Sequence, residues 1–200
     1  ILKQYDIKGN FLVDFSACLL YRDKAVREVV EFLLSEGHEV HVHLHSEWVV
    51  RKWGLANKKW VDGAVAMDML DETLSHSLLH FAAFKYRAMV GQAPTVFRSG
   101  EYRFNSWTID AAGKLGFKAC SNFNSTRHAK AWHSQDPVVV NNEPFRWQNG
   151  LVELPVDFSP EPLSHNWEIY QGSFDRVLSR KRLRTFNLTL HSWSLLTRET

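Results

Sequence analysis

Three histidines at alternate positions, His41, His43 and His45, are the sharpest chemical feature of the chain. Between them stand Val40, Val42 and Leu44, so Glu39 to His45 alternates apolar and polar as a half-buried strand does. On a strand, side chains at i and i+2 point the same way. His43 and His45 can therefore grip one cation, and Glu47 follows them as a further titratable group. A bound divalent ion lowers the pKa of a water and polarises a carbonyl, which is hydrolytic chemistry. The plainer alternative is a solvated strand face.

Other titratable groups also follow predicted strands. Asp14 comes after Phe11-Leu12-Val13, as a metal ligand, an orienter or the cap of the next helix. Arg98, in Val96-Phe97-Arg98-Ser99-Gly100, is a carboxylate or substrate orienter, or one half of a surface ion pair. Glu101 follows it, and Asp157 ends Leu154-Pro155-Val156-Asp157. His191, after Asn187-Leu188-Thr189-Leu190, reads either as a general acid or base or as a buried histidine bonded to backbone.

The elements that must position these groups alternate strand and helix. Asn10 to Val13 is a strand, and Lys24 to Glu36 a helix with Val26, Val29, Val30, Leu33 and Leu34 on one face and Gly37 as its stop. Asp68 to Met89 is a long helix and Thr95 to Phe97 a strand. Asn105 caps a helix to Leu115, closed by Gly116, and Phe117 to Cys120 is a strand. Ser121 to Gly150 reads as a long irregular loop, Leu151 to Val156 as a strand, Ser173 to Leu183 as a helix, and Phe186 to Leu190 as the last strand. Such an order implies a parallel sheet or a barrel, whose sites form at the carboxyl ends of the strands.

Composition narrows the function classes. Of 200 residues, 44% are hydrophobic and 23% charged, which suits one globular domain over residues 1–200. A formal charge of +2 gives no electrostatic argument for nucleic acid, and the basic run Arg180, Lys181, Arg182, Arg184 reads as a solvated helix end. No apolar run approaches a membrane span. Cys18 and Cys120 form no metal or redox pair and suit a reducing, cytoplasmic setting. Eight Trp and thirteen Phe pack cores, and they also stack on sugar rings.

In order and context these residues resemble the polysaccharide deacetylases, the NodB-homology group (family four) of the carbohydrate esterases. The resemblance rests on the opening segment Ile1 to Val13, on Gly37-His38-Glu39-Val40 followed by His43, and on Phe97-Arg98-Ser99-Gly100. It continues through Glu153-Leu154-Pro155-Val156 and Leu190-His191-Ser192-Trp193-Ser194-Leu195. It implies an α/β fold, a distorted barrel of about seven strands where the usual α/β barrel has eight. It implies a divalent metal, zinc first, held by His43 and by His45 or Glu47, with His191 as acid and Arg98 orienting the catalytic Asp. Trp193, Glu101 and Asp157 would line the substrate site. The family's opening Asp-Asp motif has no match from Ile1 on, so the base and third ligand fall to Asp14 or to a residue upstream, where a first strand would also lie.

The expected activity is a hydrolase removing an N-acetyl or related acyl group from an amino sugar of a bacterial surface polysaccharide or glycolipid, such as lipopolysaccharide. Two alternatives remain: a sugar-binding relative without catalysis, and another HxH metal amidohydrolase.

Overall fold

A computed structural model describes residues 2–49, 65–124, 128, 142–157 and 167–179. These fall into two compact units. The first comprises residues 1–120 with 147–151, the second residues 121–146 with 152–200.

The first unit is a parallel sheet with helices. Strand β1 (Asn10–Asp14) leads through a short 3-10 turn to helix α1 (Cys18–Ser35). Strand β2 (Glu39–Leu44) follows, then helix α2 (Glu72–Val90), strand β3 (Val96–Ser99), helix α3 (Ser106–Lys114) and strand β4 (Ala119–Cys120). Strands β1, β2, β3 and β4 pair in that order, all parallel. The alternation read in β2 is the observed one: Val40, Val42 and Leu44 are buried and the histidines between them are not. Their apolar face packs with Phe15, Val30, Leu79, Ala82 and Phe97 in one core. Each of these side chains larger than alanine contributes about 1.5–3 kcal/mol on burial. The Tyr86 hydroxyl donates to the Val40 carbonyl at 3.1 Å and ties α2 to β2.

Helix ends follow their local signals. At the end of α1, Gly37 sits at φ +73°, its N–H bonds Leu34 O and the His38 N–H bonds Leu33 O. This Schellman geometry needs a left-handed residue, which glycine adopts freely. Asn105 caps α3 in a reciprocal box with Thr108. Its amide also reaches Asp68 O and Leu70 O, binding the start of α3 to the segment before α2.

Several boundaries differ from the sequence reading. Helix α1 starts at Cys18, not Lys24, because Arg22 (φ 67°, ψ 157°) kinks it; the regular apolar spacing begins only after the kink. Within that spacing Val26, Val30 and Leu33 are buried, whereas Val29 and Leu34 are exposed. Asp68 lies in a separate 3-10 turn, and α2 begins after its cap, Asp71. Strand β3 runs to Ser99, so Arg98 lies within it.

In the second unit, strands β5 (Phe145–Arg146) and β6 (Val152–Glu153) pair antiparallel. Strand β5 falls in the stretch expected to be irregular. Two residues are too short to show a period. The Glu153 side chain is fully buried and accepts the backbone N–H groups of Asn122 and Phe123 at 2.7 and 2.8 Å. Helix α4 spans Trp167–Leu178, earlier than expected; Gly172 in its middle weakens the helical signal. The expected strand at 186–190 lies outside the described residues. No helix among the described residues is long and apolar enough to cross a membrane.

Candidate functional site

Register builds the site. Asp14 is the partner of His43 across β1 and β2, and His43 is the partner of Arg98 across β2 and β3. Partners in a parallel sheet point to the same face, so the three form one row at the strands' carboxyl ends. The row lies opposite the face that buries Val42 and Phe97. His45, two residues on, adds a second imidazole, its ring centroid 4.7 Å from that of His43 and nearly perpendicular to it.

Both rings are held by Nδ1. His43 Nδ1 lies 2.8 Å from the backbone carbonyl of Arg98. A carbonyl only accepts, so Nδ1 carries the proton and Nε2 is the basic nitrogen. His45 Nδ1 is bonded to a Glu47 carboxylate oxygen. That bond, outweighing burial, raises the His45 pKa. Burial would lift the Glu47 carboxyl, but the His45 bond brings it below its ordinary value. Glu47 thus sits behind His45 rather than beside it. It is reached from a helical turn that begins at Ser46, whose hydroxyl donates to Val65 O at 2.7 Å.

Asp14 caps the turn after β1. Its Oδ1 accepts the Ser16 N–H at 2.9 Å and also the Ser16 hydroxyl. Burial raises its pKa against the lowering effect of Ser16 and His45. The capping reading and the strand-end reading therefore describe the same residue.

Arg98 is 6% exposed, its guanidinium 5.6 Å from the Tyr102 ring centre. After it comes a sharp turn in which Glu101 (φ 53°) and Tyr102 (φ 58°) both hold left-handed backbone. Two such non-glycine residues cost on the order of 1–3 kcal/mol each, strain that clusters at functional positions. Glu101 is exposed and lies near enough to help raise the His45 pKa.

Two residues that the sequence reading passed over complete the arrangement. Ser16 is fully buried and holds Asp14; an Asp followed two positions later by Ser is the signal for such a turn. Gly100 is buried against the His45 ring, where a Cβ would stand 2.6 Å from Nδ1 and 2.8 Å from Cε1. A bare glycine outside a helix end marks close approach. His41 lies further back on the strand, bonded to Asn10 Oδ1 at 3.1 Å, and burial lowers its pKa.

Asp157 belongs to the second unit, where it accepts the Asn142 amide at 3.1 Å. His191 and Trp193 lie outside the described residues. Among the described residues, no three of His, Cys, Asp and Glu stand grouped to hold a metal ion. What the described residues do bring together is two imidazoles, each with its Nδ1 bonded, and the Asp14 carboxylate in register with His43.

No protein-family model matches the sequence, and no curated protein matches it. Solved structures do. One from Mycobacterium smegmatis, described as a polysaccharide deacetylase, superposes with a TM-score of 0.61 at 16% identity, over 94% of this chain and 59% of that one. A CE4 family pseudoenzyme from Bacillus anthracis gives 0.46 at 13%, over 97% and 57%. The chitin deacetylase of the fungal pathogen Colletotrichum lindemuthianum gives 0.42 at 15%, over 94% and 76%. The chain has the α/β fold of the polysaccharide deacetylases. It spans 59% of the length of the Mycobacterium smegmatis protein.

Proposed function

We propose that this chain is a metal-dependent carbohydrate deacetylase, a hydrolase that removes an N-acetyl or related acyl group from an amino sugar. The observation that carries the reading is the row Asp14, His43 and Arg98, with the His43 Nδ1–H committed to a backbone carbonyl. That bond presents Nε2 as a ligand nitrogen. His45 presents its Nε2 likewise, with Glu47 behind it as orienter. A divalent ion, zinc being the best suited to imidazole and carboxylate, supplies Lewis acidity and a more acidic water.

The protein's own groups do the rest. Asp14 Oδ2, the oxygen that Ser16 does not engage, takes the proton of the attacking water or completes the ligand set. Its raised pKa makes it a better proton acceptor than an ordinary surface carboxylate. Arg98 orients the catalytic carboxylate. His191 gives a proton to the departing amine as the amide C–N bond breaks, so that water and amide become acetate and amine. Trp193, Glu101 and Asp157 contact the sugar. On this reading residues 1–200 act as one deacetylase-like domain, working in the cytoplasm on a bacterial surface polysaccharide or glycolipid precursor.

The test is metal content and acetate release from N-acetylated sugars by the whole protein, alongside His43→Ala. We expect a stoichiometric divalent ion. We also expect a loss in the variant larger than the roughly 10–100-fold that removing an outer partner costs. A protein without metal, or hydrolysis untouched by His43→Ala, overturns the proposal. Metal binding without acetate release makes the chain a sugar-binding relative instead.

A further inference from the structure

The N-terminal half of α2 and the length of α3 flank an open cleft of about 280 Å³. Its walls include Glu72, His76 and Ser77 from α2, and Trp107, Asp110 and Lys114 from α3. None of these residues belongs to the histidine row. Trp107 is 43% exposed, an indole face presented where a core aromatic would be covered. Around it stand hydrogen-bonding groups. Lys114 Nζ bridges to Glu72 Oε1 at 2.9 Å across the two helices, and Asp110 acts on the same ammonium.

We propose that this cleft is a carbohydrate subsite, holding one uncharged hexose or N-acetylhexosamine ring of a polysaccharide against Trp107. A pyranose ring has an apolar C–H face and a rim of hydroxyls. The first matches an exposed indole, and the second matches carboxylates that accept and Lys, His and Ser groups that donate. The volume lies just under the 300–1,000 Å³ of drug-sized pockets, which suits a single ring and not a long apolar ligand. Two carboxylates face one ammonium, so a polyanionic chain is disfavoured.

Position gives the cleft a use. Both helices follow strands of the same parallel sheet, so their N-termini lie on the side of the strands' carboxyl ends, as do Asp14 and His43. The cleft runs from that side, at Glu72 and Trp107, along α3 to its last residue, Lys114, so its Trp107 end is the one open to a polymer reaching the histidine row. Only the choice of an N-acetylated chain rests on the proposed function; the ring-binding chemistry stands apart from it.

The test is calorimetric titration of the whole protein with a short N-acetylglucosamine oligomer, a glucose oligomer and a galacturonate oligomer. The Trp107 indole N–H resonance is followed in parallel. We expect an uncharged oligomer to bind and shift that resonance, and Trp107→Ala to weaken binding about tenfold or more. Trp107→Phe, which keeps an aromatic face, should retain most of the affinity and guards against a folding defect in the alanine variant. The inference is overturned if no uncharged oligomer binds, if the uronate binds as well, or if the Trp107 resonance and the Trp107→Ala affinity do not move. Absence of acetate release in the same protein sinks the proposed function and leaves this result readable, since binding is measured without turnover.

Discussion

Replacing Gly100 with alanine tests whether this glycine is the steric seat of His45. The new Cβ would stand 2.6 Å from His45 Nδ1, 2.8 Å from Cε1 and 3.0 Å from Cγ, where ordinary contact begins at 3.4 Å. The ring must therefore recede by about 0.8 Å at its nearest atom. It cannot do so along its own plane without disturbing the Nδ1 bond to Glu47. Two costs follow: overpacking of about 1–3 kcal/mol, and partial loss of a charged hydrogen bond worth roughly 1.5–3 kcal/mol. A ring flip gives no relief, because Cδ2 then takes the place of Nδ1, and it loses the Glu47 bond as well. We expect Gly100→Ala to lower the urea unfolding free energy by about 2 kcal/mol. Zinc affinity, read by competition with a chelating dye, should fall by about 10–100-fold, the usual effect of losing an outer partner. A variant as stable as the parent, with unchanged zinc affinity, refutes the argument that Gly100 seats the ring.

Two further outcomes follow from buried groups. Glu153→Ala removes the shared acceptor of the Asn122 and Phe123 amides and should destabilise the protein by roughly 2–5 kcal/mol in urea titrations; a change under about 0.5 kcal/mol would contradict the latch. Burial and the neighbouring Asp23 carboxylate push the Cys18 thiol from 9.0 up to about 11. Between those values the folded chain keeps a proton that the unfolded chain loses, so stability falls as pH rises through that window. Cys18→Ala should flatten that part of the stability profile, and an unaltered slope would show that the thiol is not responsible.

Much of this was legible because some signals are local. Alternation in Glu39 to His45 requires only the two-residue period of a strand, and Gly37, Asn105 and Gly116 mark helix ends through backbone geometry alone. Register is different. That Asp14 pairs with His43, and His43 with Arg98, depends on how three strands slide against one another. Sequence order placed all three at strand ends without placing them in one row. Glu47 shows the same limit. It stands four residues after His43, where the family resemblance puts a second ligand, as the alternative to His45. The strand ends at Leu44 and a helical turn begins at Ser46, which brings Glu47 back onto His45 Nδ1. The kink at Arg22 hid the first turn of α1 for a related reason, since no residue type announces it.

Arg98 separates two contributions that the row would otherwise merge. Its carbonyl fixes the His43 tautomer, and its guanidinium lies 5.6 Å from the Tyr102 ring centre. Substitution of the side chain leaves the carbonyl in place, held by the β2–β3 ladder. Arg98→Lys therefore keeps His43 oriented while replacing a planar fork with a point charge. If the guanidinium orients a carboxylate for proton transfer, the variant should retain zinc affinity and lose activity by about 10–100-fold, chiefly in kcat. Because Arg98 is 6% exposed, some stability loss is expected as well, and zinc affinity is the readout that separates folding from orientation. Loss of zinc and activity together would mean that the buried side chain only supports the strand. Full activity would mean that the guanidinium takes no part, leaving the Arg98 backbone as the contribution that matters to His43.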